Sequence, residues 1–216
     1  MNLTRVIAAA SLAVITASPA AAQNQSVDRA VAAWGKIRSL SGTFEQTLTN
    51  PLVQSTVTAK GNFAQQRPNK LAVRFTSPDG DAIVADGANL WVYLQQAAPG
   101  QVLKQPISAR MAVPIDVGQF LDAPSSKYEI AAKGAEPVGG RPAKVVGLTP
   151  KKGSGSPFTK ATVWIDDADG LIRQFEVTEQ SGVIRRIRLT SMNVNPTLGA
   201  SAFRFTIPKG VKVVER

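Results

Sequence analysis

Catalysis needs groups that attack, donate or accept, and this chain offers few of them. It contains no cysteine and no histidine, which removes Ser-His-Asp and Cys-His nucleophile pairs and the ordinary zinc and copper sites. Carboxylates alone remain for acid–base work, as in glycosidases, where two of them must face each other across a cleft. Glu45, Asp86, Asp166 and Glu176 are the pool, and most of them fall in expected turns or on outer strand faces. A hydrolase is therefore a remote reading. Asp166-Asp167-Ala168-Asp169-Gly170 hints at a calcium loop, but Gln174, Phe175 and Glu176 stand around the closing position and the glycine is misplaced for an EF-hand. A hairpin turn suits those residues better. The sequence points to no enzyme, no metal and no cofactor.

The arginines are the next candidates. In Gln65-Gln66-Arg67-Pro68-Asn69 a turn explains the proline but not the arginine at its mouth, whose residue-level reading is a solvated strand end. Arg185, Arg186 and Arg188 form a basic run, read as a solvated face, with a docking patch for an acidic partner as the alternative. The formal net charge is +10 and the pI about 10.2. The basic residues are scattered along strands, without a helix-borne cluster or an RNA-binding signature, so nucleic acid is not expected. An anionic membrane surface or an acidic partner is the better match.

The elements that must position these residues begin after a leader. Met1–Arg5 carries one positive charge, Val6–Ala17 is apolar, and Ala20-Ala21-Ala22 offers a cleavage site before Gln23. That is a secretory signal peptide over 1–22, leaving 23–216 as a single exported domain whose fold rests on its own core. Ser26–Leu40 reads as an amphipathic helix whose apolar face carries Trp34 and Ile37. From Gly42 the period becomes two. Strands are expected near 55–66, 70–77, 80–86, 89–95, 101–105, 127–134, 142–149, 158–166, 171–180, 182–193 and 202–207, with turn signals such as Asp86-Gly87, Asp169-Gly170 and Ser181-Gly182 between them. Ile107–Asp122, punctuated by Pro106, Pro114 and Pro124, breaks that rhythm and suggests short helices or turns. Consecutive antiparallel hairpins on this scale make one large, strongly curved sheet or a barrel. Only the two helical segments are available to cover its apolar face.

Several stretches in order resemble the LolA family of periplasmic outer-membrane lipoprotein carriers. They are Gly42-Thr43-Phe44-Glu45-Gln46, Gly61-Asn62-Phe63 leading to Arg67-Pro68-Asn69, Asp86-Gly87-Ala88-Asn89-Leu90-Trp91-Val92-Tyr93, Asp169-Gly170-Leu171-Ile172, and Phe203-Arg204-Phe205-Thr206-Ile207-Pro208. The resemblance implies a mainly β fold, an unclosed antiparallel β-barrel lidded by short α-helices. Its apolar cavity would take the acyl chains of lipoproteins from an inner-membrane ABC-type releasing complex and deliver them to an outer-membrane receptor. It also implies a periplasmic monomer, with Arg67 hydrogen-bonded to the lid as a latch. Phe44, Phe63, Val73, Phe75, Trp91, Tyr93, Phe175 and Ile187 are candidate cavity-lining positions. Trp34, Ile37, Met111, Val113, Ile115, Phe120 and Leu121 are candidate lid positions. Arg74 departs from the pattern, standing where many relatives have an aromatic residue. A carrier or sensor of another envelope lipid or glycolipid is the alternative within the same binding class, and a purely structural sheet leaves the apolar segment at 107–122 unexplained.

Overall fold

A computed structural model of the chain describes residues 19–107 and 116–215. Among them are twelve strands in one sheet. They are β1 (Ser39–Asn50), β2 (Ser55–Gln66), β3 (Lys70–Ser77), β4 (Asp79–Asp86), β5 (Asn89–Tyr93), β6 (Gln101–Pro106), β7 (Tyr128–Ala135), β8 (Ala143–Pro150), β9 (Phe158–Asp166), β10 (Ile172–Glu179), β11 (Ile184–Val194) and β12 (Lys212–Glu215). Turn chemistry in the sequence located most of these ends to within a residue or two. Gly87, Gly170 and Gly182 all take positive φ in the turns where the dipeptide signals stand.

The strand order is β12-β6-β5-β4-β3-β2-β1-β11-β10-β9-β8-β7. Two antiparallel meanders, β1 to β6 and β7 to β11, are thus joined through the β1–β11 ladder, and only β12 pairs parallel, with β6. A sheet of this size must curl, and it curls without closing: β7 and β12 are its two edges. Three helices stand beside it, α1 (Pro19–Gly35), α2 (Gly118–Leu121) and α3 (Pro124–Lys127).

Period-two alternation sorts side chains onto two faces. The concave face holds the main core, where Phe44, Phe63, Val73, Phe175 and Ile187 are buried, with Phe75 packed against them. Gly61 sits opposite Phe44 in the β1–β2 register. A Cβ there would lie 2.8 Å from the Phe44 ring and 2.3 Å from the Arg74 carbonyl oxygen, so glycine is what lets that ring lie across β2. The convex face has two small clusters, one around Trp164, Val138 and Val145, the other around Ala72, Val84 and Phe203.

Three expectations are corrected. The first helix runs over Pro19–Gly35, not Ser26–Leu40. Beyond Gly35 the chain is drawn into the sheet, where Ser39 and Leu40 pair with Gln66 and Gln65, so Ile37 lies in the link and Leu40 in β1. The stretch 202–207 is not a strand. It begins within a 3-10 turn at Ala200–Phe203 and lies across the convex face, where burying its rings outweighs pairing its backbone. The Phe205 ring stacks on Trp91 with 5.6 Å between centroids and lies 5.9 Å from Tyr93. Trp91 and Tyr93 are therefore on the convex face and do not line the interior, which β5 meets with Leu90 and Val92 instead. Arg74, the departure noted above, fastens this segment by donating from Nη2 to the Arg204 carbonyl at 2.8 Å.

Candidate functional site

At one end of the barrel the concave face is filled by helices. The α1 residues Val27, Ala30 and Trp34 recur at helical spacing and are all buried. From α2, Phe120 reaches Phe175 and Phe158, with ring centroids 5.1 and 5.7 Å away, and Leu121 is buried beside it. Gly118 is in close contact with Trp34: a Cβ there would come within 2.9 Å of the indole. The gap left between α1, α2 and the sheet is about 10 Å³, no more than a single water needs. This end is closed. Met111, Val113 and Ile115, the other candidate lid positions, lie outside the described residues.

The strand β2 holds both helices by its end. Arg67 Nη1 donates to the carbonyls of Trp34 at 3.1 Å and Ile37 at 3.3 Å, and its guanidinium carbon lies 5.4 Å from the centre of the Trp34 ring. The last carbonyls of a helix have no partner inside it, and a guanidinium supplies several donors in a fixed fork. Two residues earlier, Gln65 Nε2 donates to Asp116 Oδ1 at 3.0 Å, the oxygen that also accepts from the Gly118 amide at 2.9 Å at the start of α2. Asn195, just after β11, completes the set. Its Oδ1 accepts from the Arg38 amide at 2.7 Å, and its Nδ2 donates to the Lys36 carbonyl at 3.2 Å. The cover is thus fastened by side-chain hydrogen bonds, most of them to backbone and one, from Gln65, to the Asp116 carboxylate. Gln65, Asp116 and Asn195 escaped the sequence reading because single polar residues beside turns carry no pattern.

The other end is left open by the described residues. A cavity of about 310 Å³ lies there, within the range of small-ligand sites, walled by Phe44, Leu48, Val73, Phe75, Ile83 and Ile187 among others. Its lining is mostly apolar, with Gln46, Asp81, Gln96 and Arg185 as exceptions. Of the predicted lining residues, Phe44, Val73, Phe75 and Ile187 meet here. Phe63 and Phe175 are buried in the adjoining core.

The chain is similar to known proteins. The family model described as outer membrane lipoprotein carrier protein LolA matches residues 35–206. The chain belongs to the LolA family. An outer-membrane lipoprotein carrier protein of Proteus mirabilis is 31% identical over 184 residues, covering 82% of each chain. One from Neisseria meningitidis is 30% identical over 217 residues, covering 99% of this chain and 97% of its own. Among solved structures, an uncharacterized conserved protein from Thermus thermophilus superposes with a TM-score of 0.56 at 15% identity, over 90% of this chain and 99% of the other. The Mycobacterium tuberculosis lipoprotein LppX does so with 0.51 at 17%, over 82% and 97%. At such identities the structures speak to fold alone.

The LolA relatives are named as carriers, and the four carboxylates fit no catalytic pair. Glu45 is ion-paired with Arg188 and, at 3.0 Å, with Lys60, which hold it below the usual carboxylate range. Asp86 is pushed up by burial but brought below its ordinary value by donors from the Asn89 amide at 2.7 Å, the Trp91 indole at 2.9 Å and the Ala88 amide at 2.8 Å. Burial likewise opposes ionisation of Asp166. Arg141, the Ala168 amide at 2.8 Å and Arg173 at 2.9 Å overcome it and bring the group to about 2. Glu176 is bound by Arg186 at 2.8 Å. A general acid needs the opposite of the shifts at Glu45, Asp86 and Asp166. Asp169 pairs with Arg173 and caps the Leu171 amide at 3.0 Å. The acidic run is therefore a fastened hairpin turn, and it abuts the cover: Arg29 of α1 donates to the Asp167 carbonyl at 2.7 Å.

Proposed function

We propose that this LolA-family chain is a periplasmic carrier, exported by a signal peptide over 1–22, that holds the acyl chains of lipoproteins inside the curved sheet. It takes them from an inner-membrane ABC-type releasing complex and yields them to an outer-membrane receptor. The observation that carries this reading is the unfilled apolar cavity on a concave face that is elsewhere packed tight. Each buried CH₂ of an acyl chain gains about 0.8 kcal/mol, so a lipidated protein needs a shield to cross water. The family supplies the cargo class.

A single small cavity does not hold a full lipid anchor, so loading requires the helical cover to move outward. Arg67 is the latch in this reading. Its bonds to Trp34 and Ile37 hold the cover while the interior is empty and break as cargo displaces α1. The residues that line the cavity, with Trp34, Ile37, Phe120 and Leu121 beneath the cover, form the surface the chains meet.

The test is to isolate the protein from its native envelope and identify what co-purifies by mass spectrometry, for the wild type and for Arg67→Leu. Acylated peptides on the wild type, with their hand-over to acceptor membranes altered by Arg67→Leu while the β signal in circular dichroism persists, are the expected result. Free lipids without acylated peptides would replace the cargo with another envelope lipid. A clean protein would refute the carrier reading, and unchanged transfer by the variant would refute the latch.

A further inference from the structure

On β11 the alternation that turns Ile187 and Leu189 into the core turns Arg185 inward as well. The basic run divides accordingly. Arg186 and Arg188 face outward and pair with Glu176 and Glu45, whereas Arg185 stands in the cavity wall. This overturns the expectation of a uniformly solvated face. A guanidinium has no packing role in an apolar wall that leucine would not fill better, so its contacts bear on what the cavity receives.

Those contacts are directional. Arg185 Nη1 donates to Gln46 Oε1 at 3.0 Å, while Nε and Nη2 both reach Glu179 Oε1, at 3.1 and 2.7 Å. Gln46 is itself buried, and Asp81 lines the same cavity. A guanidinium carries five N–H donors, and three are engaged here. Its positive charge is matched by Glu179, with Asp81 adding a further carboxylate to the wall. An anionic head group would meet carboxylates here and gain little. A neutral acceptor would meet the spare N–H groups of a fixed cation, and hydrogen bonds to charged donors are the stronger kind.

We propose that Arg185, oriented by Gln46 and Glu179, is a subsite for the acyl carbonyl, the ester or amide C=O through which a fatty chain is joined to the rest of its molecule. The chain lies along Phe44, Val73, Ile83 and Ile187, and the carbonyl marks where it ends. This subsite rests on the reading that the cavity takes acyl chains. It adds a preference the apolar walls cannot supply, because hydrocarbon contacts do not distinguish an acyl ester from an alkyl ether.

The purified protein is titrated with a monoacylglycerol and with the alkylglycerol ether of equal chain length, each displacing an apolar fluorescent dye from the cavity. The ester is expected to bind roughly fivefold more tightly, the worth of one partly solvated charge-assisted hydrogen bond. Arg185→Met, which keeps the aliphatic stem, is expected to bring the two affinities together mainly by weakening the ester. Equal affinities on the wild type overturn the subsite without touching the carrier reading, since both lipids still bind. So does an ester preference that survives in Arg185→Met. Failure of both lipids to displace the dye overturns the carrier reading and the subsite with it. The wild-type comparison needs no variant to fold.

Discussion

The two ends of the barrel are made from the same strands and differ in what fills them. At the end where β2 finishes, Trp34, Phe120 and Leu121 descend from the helices and leave a gap of about 10 Å³. At the end where the β1–β2 hairpin turns, the same concave face encloses about 310 Å³. The difference teaches that the helices complete the core at one end only. They bury themselves on the sheet as a ligand would, and side-chain hydrogen bonds, rather than a closed ladder, keep them there. The open end is the part of that apolar surface which the described residues do not cover. At the hairpin tip Leu52 and Val53 are 83% and 68% exposed, so apolar surface continues outward past the cavity.

If the closed end is core, truncation there must be expensive. Phe175 is 0% exposed and lies against the Phe120 ring. Phe175→Ala is expected to lower unfolding free energy by about 3–5 kcal/mol, read from denaturant midpoints at constant slope. A loss under about 1 kcal/mol would mean that this end relaxes as readily as the other.

The hairpin turn beneath α1 gives the next effect, in acid. The folded-state value of Asp166 is lowered to about 2 from an ordinary 3.8. The stability this carboxylate contributes is thus fully present above pH 4 and is lost as pH falls toward 2. Integrated over that window it amounts to roughly 2 kcal/mol. Comparing wild type with Asp166→Asn should show the two stability curves converging in that acid window. Curves that run parallel there would remove Asp166 from the closed end's support.

At the open end the balance reverses. Ala59 lines the cavity beside Phe44 and Val73. Ala59→Phe has empty space to enter, so unfolding free energy should change by less than about 1 kcal/mol. Acyl-chain affinity should fall at least about tenfold, because the ring takes the ligand's volume. Dye displacement and a denaturant titration on the same sample separate the two readouts. A large stability loss with normal binding would contradict the contrast between the ends.

The strands were legible because turn chemistry marks their ends, and the resemblance named the architecture. Face assignment was less secure where both sides of a strand are apolar. On β5, Leu90 and Val92 alternate with Trp91 and Tyr93, so period two gives the partition but not its sense. The deciding partner, Phe205, lies more than a hundred residues away in sequence. The same segment read as a strand because Phe203, Arg204 and Phe205 alternate, and nothing local reveals that its rings seek a surface rather than its backbone a ladder. Arg67 was found by its motif, and its guanidinium donates to the Trp34 and Ile37 carbonyls. Arg185 was seen and set on the wrong face, since a run of arginines looks solvated until the register of β11 with β1 is known.

The ladder between β1 and β11 has a consequence for how the chain reaches this state. Phe44 pairs with Gly61 on one side and with Leu189 on the other. As the polypeptide emerges from its N-terminus, β1 to β6 can zip locally, yet the second edge of β1 stays bare until nearly the whole sequence has been delivered. Non-local pairing of this kind is slow, and a bare edge beside an apolar face invites wrong neighbours. A member of a lipoprotein-carrier family is thus itself in need of shelter while it folds.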